Sequence, residues 1–567
     1  MIDKKALVCS ICINFFFLIL CLFFGKLRFG AIDDWFMAGI LSGIYGEGYN
    51  VHLTFVNVAY GYCLLPLYHL FPSINWYYIG EIASIFVSLS VICYILIKKT
   101  GYQWGSILAM LLVLLCASDY YLVLQFTQCA AMLSAAGMIA FIYGVCKLEE
   151  SRCKKELGVV TIVVGILLLL WGSWMRWPAF LMGMPFFSCT LLLLIKKLWK
   201  VKHFVITGLV VLFIAAWGFH ALDAYHYQSP EYKKYMDFQG PRSLLGDGRN
   251  YNQQAVDEDL DEMGYSGKDF AMLTEWTFYD NEVFASESIR VITDVIARHY
   301  NKASLPSMPS LILGALSNSA QTPIFMVWLI LCVFLFITNP QKSMWAWLSL
   351  LVVAVLMAYL LYLQRLVFRV ESGLWLYAGV LTIPLLKERF SMPKYFPYVI
   401  VVVIGLITLF SYSTSGPQVR SPNTGEVVPV QNEEKDTADY KGLFAFMDSV
   451  SDSTVFIASM NSYMRISRQK NPPYLTEPQG SWSQLISFGY WTPYFPDVET
   501  AFRKRGVNNP IKDVVLDNVF VIDERGLVDF LERHHYEKVK VDTVRNFNGM
   551  VIYKYSLADD SLMGVEK

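Results

Sequence analysis

Residues 100–146, TGYQWGSILAMLLVLLCASDYYLVLQFTQCAAMLSAAGMIAFIYGVC, run from Lys99 to Lys147 with one formal charge, Asp119. A charge facing hydrocarbon costs a few kcal/mol at mid-helix. A stretch this long and this poor in charge is therefore a pair of membrane-crossing helices that turn at Asp119. The next interval repeats the design: between Glu156 and Lys196 the only charge is Arg176, with nineteen uncharged residues on either side. About twenty apolar residues cross a bilayer core. Two such hairpins make the chain a polytopic α-helical membrane protein.

Outward from this pair, Lys4 and Lys5 precede an uncharged run over 6–25. It is too long for a signal-peptide core and no small-residue cleavage site follows, so it reads as a retained first span. Further spans are read at 76–97, 203–222, 323–338, 343–363, 370–386 and 396–412. The stretch 53–71 is apolar but holds Asn57, Pro66 and His69, and it sets the count: twelve helices if it spans, eleven if it lies in the interface or re-enters.

The positive-inside rule chooses between them, because one span more or less reverses every later loop. With eleven spans the cytoplasmic segments hold sixteen Lys and Arg, at positions 4, 5, 98, 99, 147, 152, 154, 155, 196, 197, 200, 202, 342, 387, 389 and 394. The short outward loops hold five: Lys26, Arg28, Arg176, Arg365 and Arg369. With twelve, the asymmetry inverts after the first loop. The eleven-span reading puts the N-terminus in the cytoplasm. Outside it places the loop 26–75, the tips at Asp119 and Arg176, a lid loop over 223–321 and the tail after Tyr412.

Composition agrees. The 567 residues are 55% hydrophobic and 16% charged, with a mean hydropathy of +0.41, which excludes a disordered chain, a disulfide-stapled miniprotein and an ordinary soluble enzyme. A net charge of −1 gives no basic surface for nucleic acid. Eleven cysteines lie between Cys9 and Cys332, mostly inside apolar runs, and read as small core hydrophobes.

Two segments are soluble in character. Residues 223–302 carry fifteen Asp and Glu against eight Lys and Arg, a turn at Gly246-Asp247-Gly248 and helix-like stretches at 257–263 and 282–300, which together read as a lid of short helices. Its run Asp257-Glu258-Asp259 with Asp261 and Glu262 lacks the spacing and glycine of a calcium loop and reads as a solvated helix start. After the membrane domain, 1–412, a polar linker occupies 413–436, and 437–567 read as a small extracytoplasmic α/β domain. Strands are expected at 454–459 and 519–523, a helix at 524–533, and a hairpin over 538–555 turning at Asn548-Gly549. The domain shows no glycine-rich phosphate loop, metal-ligand cluster or nucleophile elbow, so its expected role is packing or acceptor docking.

The residues that carry chemistry lie on the outward side. Asp33 and Asp34, in Phe29-Gly30-Ala31-Ile32-Asp33-Asp34-Trp35-Phe36, follow the first span by eight and nine positions. Adjacent carboxylates repel unless protonated, hydrogen-bonded or bound to a cation; the bland alternative is a cap on an amphipathic segment over 35–45. Asp119 is either a functional carboxylate or a charge kept at a hairpin tip for topology. Arg176, between Trp174 and Trp177, either holds phosphate with its planar fork or anchors the interface. Arg365 and Arg369 are four apart and share a face if helical, just before Glu371. Glu47, His52 and His69 share the loop of the acidic pair, where a lone His is more often satisfied by backbone than ligating. Glu81 falls inside the second span near its outer end, where an ionisable group faces a cavity or a buried hydrogen bond. The clustered Tyr60, Tyr62, Tyr68, Trp76, Tyr77 and Tyr78 read as an interfacial belt.

An acidic pair after the first span, an apolar interfacial segment in the same loop, Asp at the next outward tip, Arg at the one after and a soluble outward domain together resemble the GT-C type membrane glycosyltransferases. That superfamily includes the lipid A aminoarabinose transferases and protein O-mannosyltransferases. Gln125-Phe126-Thr127-Gln128 leading into 130–140 looks like the family's fourth span. The match covers 1–187 in pattern and the rest in architecture.

The resemblance implies inverting transfer of a sugar from a polyprenyl-phosphate donor to an envelope glycan, lipid or protein. The reaction would take place at the extracytoplasmic face of a bacterial cytoplasmic membrane. It implies Asp33 as base, with Asp34 and Asp119 as further catalytic carboxylates, and Glu47, His52, Glu81, Arg176, Arg365 and Arg369 as substrate-binding. No cofactor beyond the lipid-linked donor is implied, and a divalent cation is left open. Membrane lipids are partners; nucleic acid is not. A transporter or flippase, an oligosaccharide ligase or polymerase using Arg365 and Arg369, and an inactive scaffold are the competing readings.

Overall fold

The computed structural model describes the chain except residues 1, 2, 47, 151–154, 246–249, 302–304, 388–392, 394, 430–436, 468–471, 478–481 and 559–567. The membrane domain begins with α1 (Lys4–Phe24), α2 (Ile32–Ser42), α3 (Val58–Leu70), α4 (Trp76–Thr100) and α5 (Tyr102–Tyr121). Next come α6 (Phe126–Glu150), α7 (Lys155–Met175), α8 (Trp177–Leu193), α9 (Ile195–Leu198) and α10 (Lys202–His226). The lid is α11 (Pro230–Leu245), α12 (Gln253–Glu262), α13 (Gly267–Thr274), α14 (Ser286–Arg298) and α15 (Met308–Ser319). The bundle closes with α16 (Pro323–Thr338), α17 (Met344–Tyr362), α18 (Phe368–Val380) and α19 (Phe396–Ser415).

Helices occupy all eleven expected intervals, and eight among the described residues are long and apolar enough to cross a membrane. The shorter three are α8, α16 and α18, with 17, 16 and 13 residues. The ambiguous stretch 53–71 forms α3, whose 13 residues start at the Asn57 cap and contain Pro66. At 1.5 Å per residue it reaches about 20 Å, short of a core of about 30 Å. The lid starts later than expected, because α10 carries Asp223 within its last turn.

Packing is set by α6, which is enclosed by its neighbours. It runs antiparallel to α7 on a ladder of small residues repeating every seven positions. A Cβ at Gly144 would meet the Gly158 carbonyl oxygen at 2.8 Å, one at Gly137 the Gly165 oxygen at 2.8 Å, and one at Gly172 the Ala130 oxygen at 3.0 Å. Without a hydrophobic drive between helices in lipid, such backbone approach supplies the association. Polar glue comes from Asn14 in α1, which donates to the Phe86 carbonyl (2.7 Å) and Ser90 (2.9 Å) of α4 and accepts from Tyr121 of α5 (2.6 Å).

The two ends of the bundle are sorted. At one end Lys98 pairs with Asp3 (2.8 Å), Lys200 with Glu149 (2.7 Å), and Asn339 donates to the Leu385 carbonyl (2.8 Å). At the other, Arg28 and Phe29 (β1) pair in parallel with Val123 and Leu124 (β2), Asn57 N–H bonds the Trp174 carbonyl, Val58 N–H bonds Asp223, and Gln364 donates to the Asn301 carbonyl. Every segment expected outside is gathered at that second end.

The tail departs from expectation at its start. Part of the presumed linker is a hairpin, β3 (Gln418–Arg420) against β4 (Val427–Pro429), seated on the bundle end. Beyond it lies a five-stranded sheet in the order β6-β5-β7-β9-β8, from β5 (Val455–Ala458), β6 (Leu485–Ser487), β7 (Val519–Ile522), β8 (Val539–Asn546) and β9 (Val551–Leu557). The turn expected at Asn548-Gly549 has φ of 52° and 96°, the left-handed pair a tight hairpin requires. The helix expected at 524–533 is Leu527–His534.

Candidate functional site

The acidic pair sits where β1 delivers the chain to α2. Gly30 N–H bonds the Leu124 carbonyl at 2.6 Å, and a Cβ there would meet that oxygen at 2.9 Å, so glycine permits the approach. This aims the first turn of α2 at the N-terminus of α6. Asp34 Oδ1 accepts from the Phe126 N–H (3.1 Å) and the Tyr77 hydroxyl (3.3 Å). A carboxylate at a helix N-terminus meets unsatisfied N–H groups and the positive end of the dipole. Asp34 therefore caps α6, not the segment 35–45 that follows it.

That segment is also not an amphipathic interfacial strip: from Asp34 to Ser42 it is buried. The C-terminal domain covers it, with Trp35 against Trp482 and Tyr463, and Phe36 against Tyr490 and Phe495.

Asp33, the residue before Asp34 in the first turn of α2, receives the Tyr490 hydroxyl. Tyr490 belongs to the run Phe488-Gly489-Tyr490-Trp491-Thr492-Pro493-Tyr494-Phe495. The lid grips this loop: Phe278 and Tyr279 N–H bond the Phe488 carbonyl, Gln239 donates to the Pro493 carbonyl (3.0 Å), and Tyr235 donates to the Trp491 carbonyl (3.2 Å). Tyr235 also meets Thr54 of the first loop at 3.2 Å. First loop, lid and C-terminal domain thus converge beside Asp33. Thr54, Trp276, Tyr490 and Tyr494 all hold positive φ there, 65°, 64°, 68° and 62°. Such backbone strain in non-glycine residues costs of order 1–3 kcal/mol each and gathers at functional sites.

Two guanidinium groups flank the convergence. Arg242 of α11, 1% exposed, lies 4.3 Å from the Trp491 ring centre and 5.0 Å from that of Trp276, with its Nε donating to Gln239 (2.9 Å). Arg176 lies 5.3 Å from the rings of both Phe55 and Phe126. Phe55 in turn packs edge-on to Trp491 at 4.5 Å, so a run of rings joins the two cations. Burial, with Asp33's charge added, pushes the Tyr490 phenol well above its ordinary range and keeps it a donor. Burial pushes the Asp34 carboxyl up as well, and Asp33's charge adds to it; the hydrogen bonds from Phe126 and Tyr77 oppose this.

The other expected residues fall elsewhere. Glu81 lies fully buried beside Asp34. Asp119 is held by Arg420 of β3, whose N–H reaches Oδ1 (2.9 Å) and whose Nη1 reaches Oδ2 (3.4 Å). His52 stacks on Tyr232 at 3.8 Å and bonds Asn50 Oδ1 at 2.8 Å; burial and the neighbouring His226 lower it to about 4, so it is neutral at physiological pH. His69 packs edge-on to Tyr49. Arg365 and Arg369 do not share a helix face: Arg365 lies in the connector before α18, while Arg369 is in its first turn and donates to Asn423. Glu47 and the turn at Gly246-Asp247-Gly248 lie outside the described residues. In the acidic run of α12, Asp259 pairs with His299 (2.8 Å), and Asp257 and Glu258 accept from Gln253 and Gln254. Among the described residues no three His, Cys, Asp or Glu side chains are grouped to hold a metal.

A cavity of about 420 Å³ adjoins the site on the other face of α2. Leu27, Phe29, Ile32 and Ile44 give it apolar walls and Lys26 and Arg28 a cationic edge. It reaches Ile32 and Trp35 but not Asp33, which Tyr490 covers. Sequence reasoning missed Tyr490, Trp491, Tyr235, Arg242 and Arg420. The signal for the first two was present: six aromatic-or-proline positions in the eight residues 488–495, inside a segment otherwise soluble in composition.

No protein-family model matches the chain, and no curated protein matches it in sequence. Two solved structures are similar to it in shape. The crystal structure of ArnT from Cupriavidus metallidurans bound to undecaprenyl phosphate has 11% sequence identity and a TM-score of 0.41, covering 98% of this chain and 99% of that one. The apo structure of the same protein has 11% identity and a TM-score of 0.39, covering 94% and 96%.

Proposed function

We propose that this chain is a GT-C type integral membrane glycosyltransferase that moves a sugar from a polyprenyl-phosphate donor to an envelope glycan, lipid or protein. The reaction runs on the extracytoplasmic side of a bacterial cytoplasmic membrane. The observation that carries the reading is the setting of Asp33: a carboxylate at the bundle end where the first loop, the lid and the C-terminal domain meet, held by Tyr490, whose neighbour Trp491 packs against the Arg242 guanidinium and against Phe55, over which Arg176 lies.

In this reading Asp33 takes the proton of the acceptor hydroxyl as the oxygen attacks the anomeric carbon. The bond from that carbon to the donor phosphate breaks, its electron pair leaves on the phosphate oxygen, and a single displacement inverts the centre. The general base supplies a factor of about 10²–10⁴. Arg242 and Arg176 meet the charge that grows on the departing phosphate, where a planar fork on an apolar floor is worth most. In this reading Asp33 is favoured over Asp34 as the base because it is partly exposed, whereas Asp34 is fully buried with Oδ1 committed to Phe126 and Tyr77. The cavity along the other face of α2, with apolar walls at Leu27, Phe29 and Ile32 and a cationic edge at Lys26 and Arg28, supports lodging of a lipid-linked phosphate near this end of the bundle.

The transporter reading gains one observation, an 88° bend between α15 and α16. Broken helices at the membrane midplane mark transporter binding sites. Here the break falls at the polar end, where Ser319 donates to Glu371 in the first turn of α18, and it reads as an entry into the bundle.

The test is release of free polyprenyl phosphate from a panel of polyprenyl-phosphate sugars with crude envelope acceptors. Wild type is expected to release it and Asp33→Asn to lose at least 100-fold in rate. Release unaffected by Asp33→Asn, or none from any donor, overturns the proposal; release only from a pyrophosphate-linked glycan selects the ligase reading.

A further inference from the structure

We infer that Asp34 and Glu81 share one proton, so that the pair carries a single negative charge and serves as a positioning unit beneath Asp33. The kinetic part of this inference rests on the glycosyltransferase reading; the shared proton does not.

Both side chains are fully buried, one in the first turn of α2 and the other one turn into α4. Asp34 Oδ1 takes its two donors, but Asp34 Oδ2 and both Glu81 oxygens have no donor among the described residues. The two buried carboxyl groups bear on each other, each raising the cost of the other's charge. Ionised carboxylates only accept, so two of them in contact have nothing to exchange. Like charges in a buried site cannot both ionise, and the proton that one of them keeps belongs to the pair.

Among the described residues the surroundings offer neutral donors but no countercharge. The groups that bear on Glu81 are the hydroxyls of Tyr60 on α3 and of Tyr77 and Tyr78 on α4, and the Cys129 thiol on α6. Asp34 feels Asp33 on its own helix. Beyond Asp33 stand Tyr490, Tyr235 and Arg242. Among the described residues no cation is found to bear on the pair. The hydroxyls of Tyr60 and Tyr78 are buried without a hydrogen-bond partner among the described residues, so they stand beside the pair as neutral donors and bring no charge to offset a second ionisation.

This assigns Glu81 a different task from substrate contact. With the proton in place, the first turn of α2 holds Asp33 against one neighbouring charge. When the proton leaves, a second charge appears beneath Asp33, and repulsion displaces the turn that aims it.

Infrared difference spectra of the full chain in lipid nanodiscs test this across a pH series, for wild type, Glu81→Gln and Asp34→Asn. Wild type is expected to show the carbonyl stretch of a protonated buried acid at neutral pH, lost in alkali. Each amide variant replaces the protonated partner by a permanent donor and is expected to lack that band. No band in wild type, or the same band in both variants, overturns the inference. In the polyprenyl phosphate release assay, Glu81→Gln is expected to abolish the alkaline fall in rate, and Glu81→Leu, with no donor, to lower the rate about 100-fold. A purely structural Glu81 would scale the rate in both variants and leave the shape of the pH profile intact, which also overturns the positioning role. If wild type releases nothing from any donor, the reaction reading fails while the infrared band still decides the proton.

Discussion

The hydroxyl of Tyr490, in the C-terminal domain, donates to a carboxylate oxygen of Asp33, 457 positions earlier in the chain. Tyr490 adopts a left-handed backbone to do so, φ 68°, on a loop clasped by the lid. The contact makes the soluble domain part of the site, and it occupies the carboxylate that the proposed reaction needs.

Tyr490→Phe removes the hydroxyl and keeps the ring that packs on Phe36. A hydrogen bond to a charged group contributes about 1.5–3 kcal/mol, which an acceptor must offset before reaching Asp33. Rates at low acceptor concentration are expected to rise by about tenfold, with little change at saturation. Initial-rate kinetics against acceptor check this; a fall in the saturated rate would show instead that the hydroxyl aims Asp33.

Arg242 is sandwiched against Trp491 and Trp276, so its planar delocalised charge cannot be replaced by a lysine ammonium on a flexible stem. Arg242→Lys is expected to lower turnover by about 100-fold, a loss typical of one group that stabilises transition-state charge. Thermal unfolding midpoints for the two proteins separate this from misfolding. A lysine variant with wild-type turnover would remove Arg242 from the reaction.

Much of the bundle was legible because lipid punishes charge: the positions of Asp119 and Arg176 at hairpin tips follow from that alone. The ladder of Gly137 and Gly144 against Gly158, Gly165 and Gly172 was also in the sequence, as a spacing of seven, but glycines in apolar runs do not announce a partner. The site was only half legible. Asp33 stood out by its placement in the chain. Tyr490 and Arg242 did not, since what brings them there is a tertiary meeting of three segments hundreds of residues apart. The placement of Asp119 leaves a functional carboxylate and a charge kept at the tip equally open, and its partner Arg420 lies in a stretch that looks like linker. The expectation of an interfacial α2 failed for a related reason: hydrophobicity shows that a face is covered, not whether lipid or a domain covers it.

The pairing of Asp119 with Arg420 predicts a stability effect separable from catalysis. Both side chains are nearly buried, at 10% and 13% exposure, and removing one partner strands the other's charge. Asp119→Ala is expected to cost about 3–5 kcal/mol, read as a lowered unfolding midpoint and as faster proteolysis in the hairpin β3–β4. The double variant Asp119→Ala with Arg420→Met should recover most of it. If the single variant unfolds like wild type yet loses turnover, Asp119 belongs to the chemistry and not to the tether.

Asp34 gives a pH prediction with a definite sign. Burial raises its carboxyl to about 7 in the folded chain, against about 4 in an unfolded one. A group raised on folding contributes stability that is full below the unfolded value and is lost as pH rises through the folded one. The unfolding midpoint is therefore expected to fall as pH climbs from mildly acidic to about 7, and the contribution of Asp34 to level off above it. Asp34→Asn, which cannot ionise and keeps the shape of the side chain, is expected to flatten that fall. Because membrane proteins of this size unfold irreversibly, the comparison needs one heating rate for both proteins. Parallel pH profiles for wild type and Asp34→Asn would mean that Asp34 stays ionised in the folded chain as in the unfolded one, held by the Phe126 N–H and the Tyr77 hydroxyl without a proton shared with Glu81.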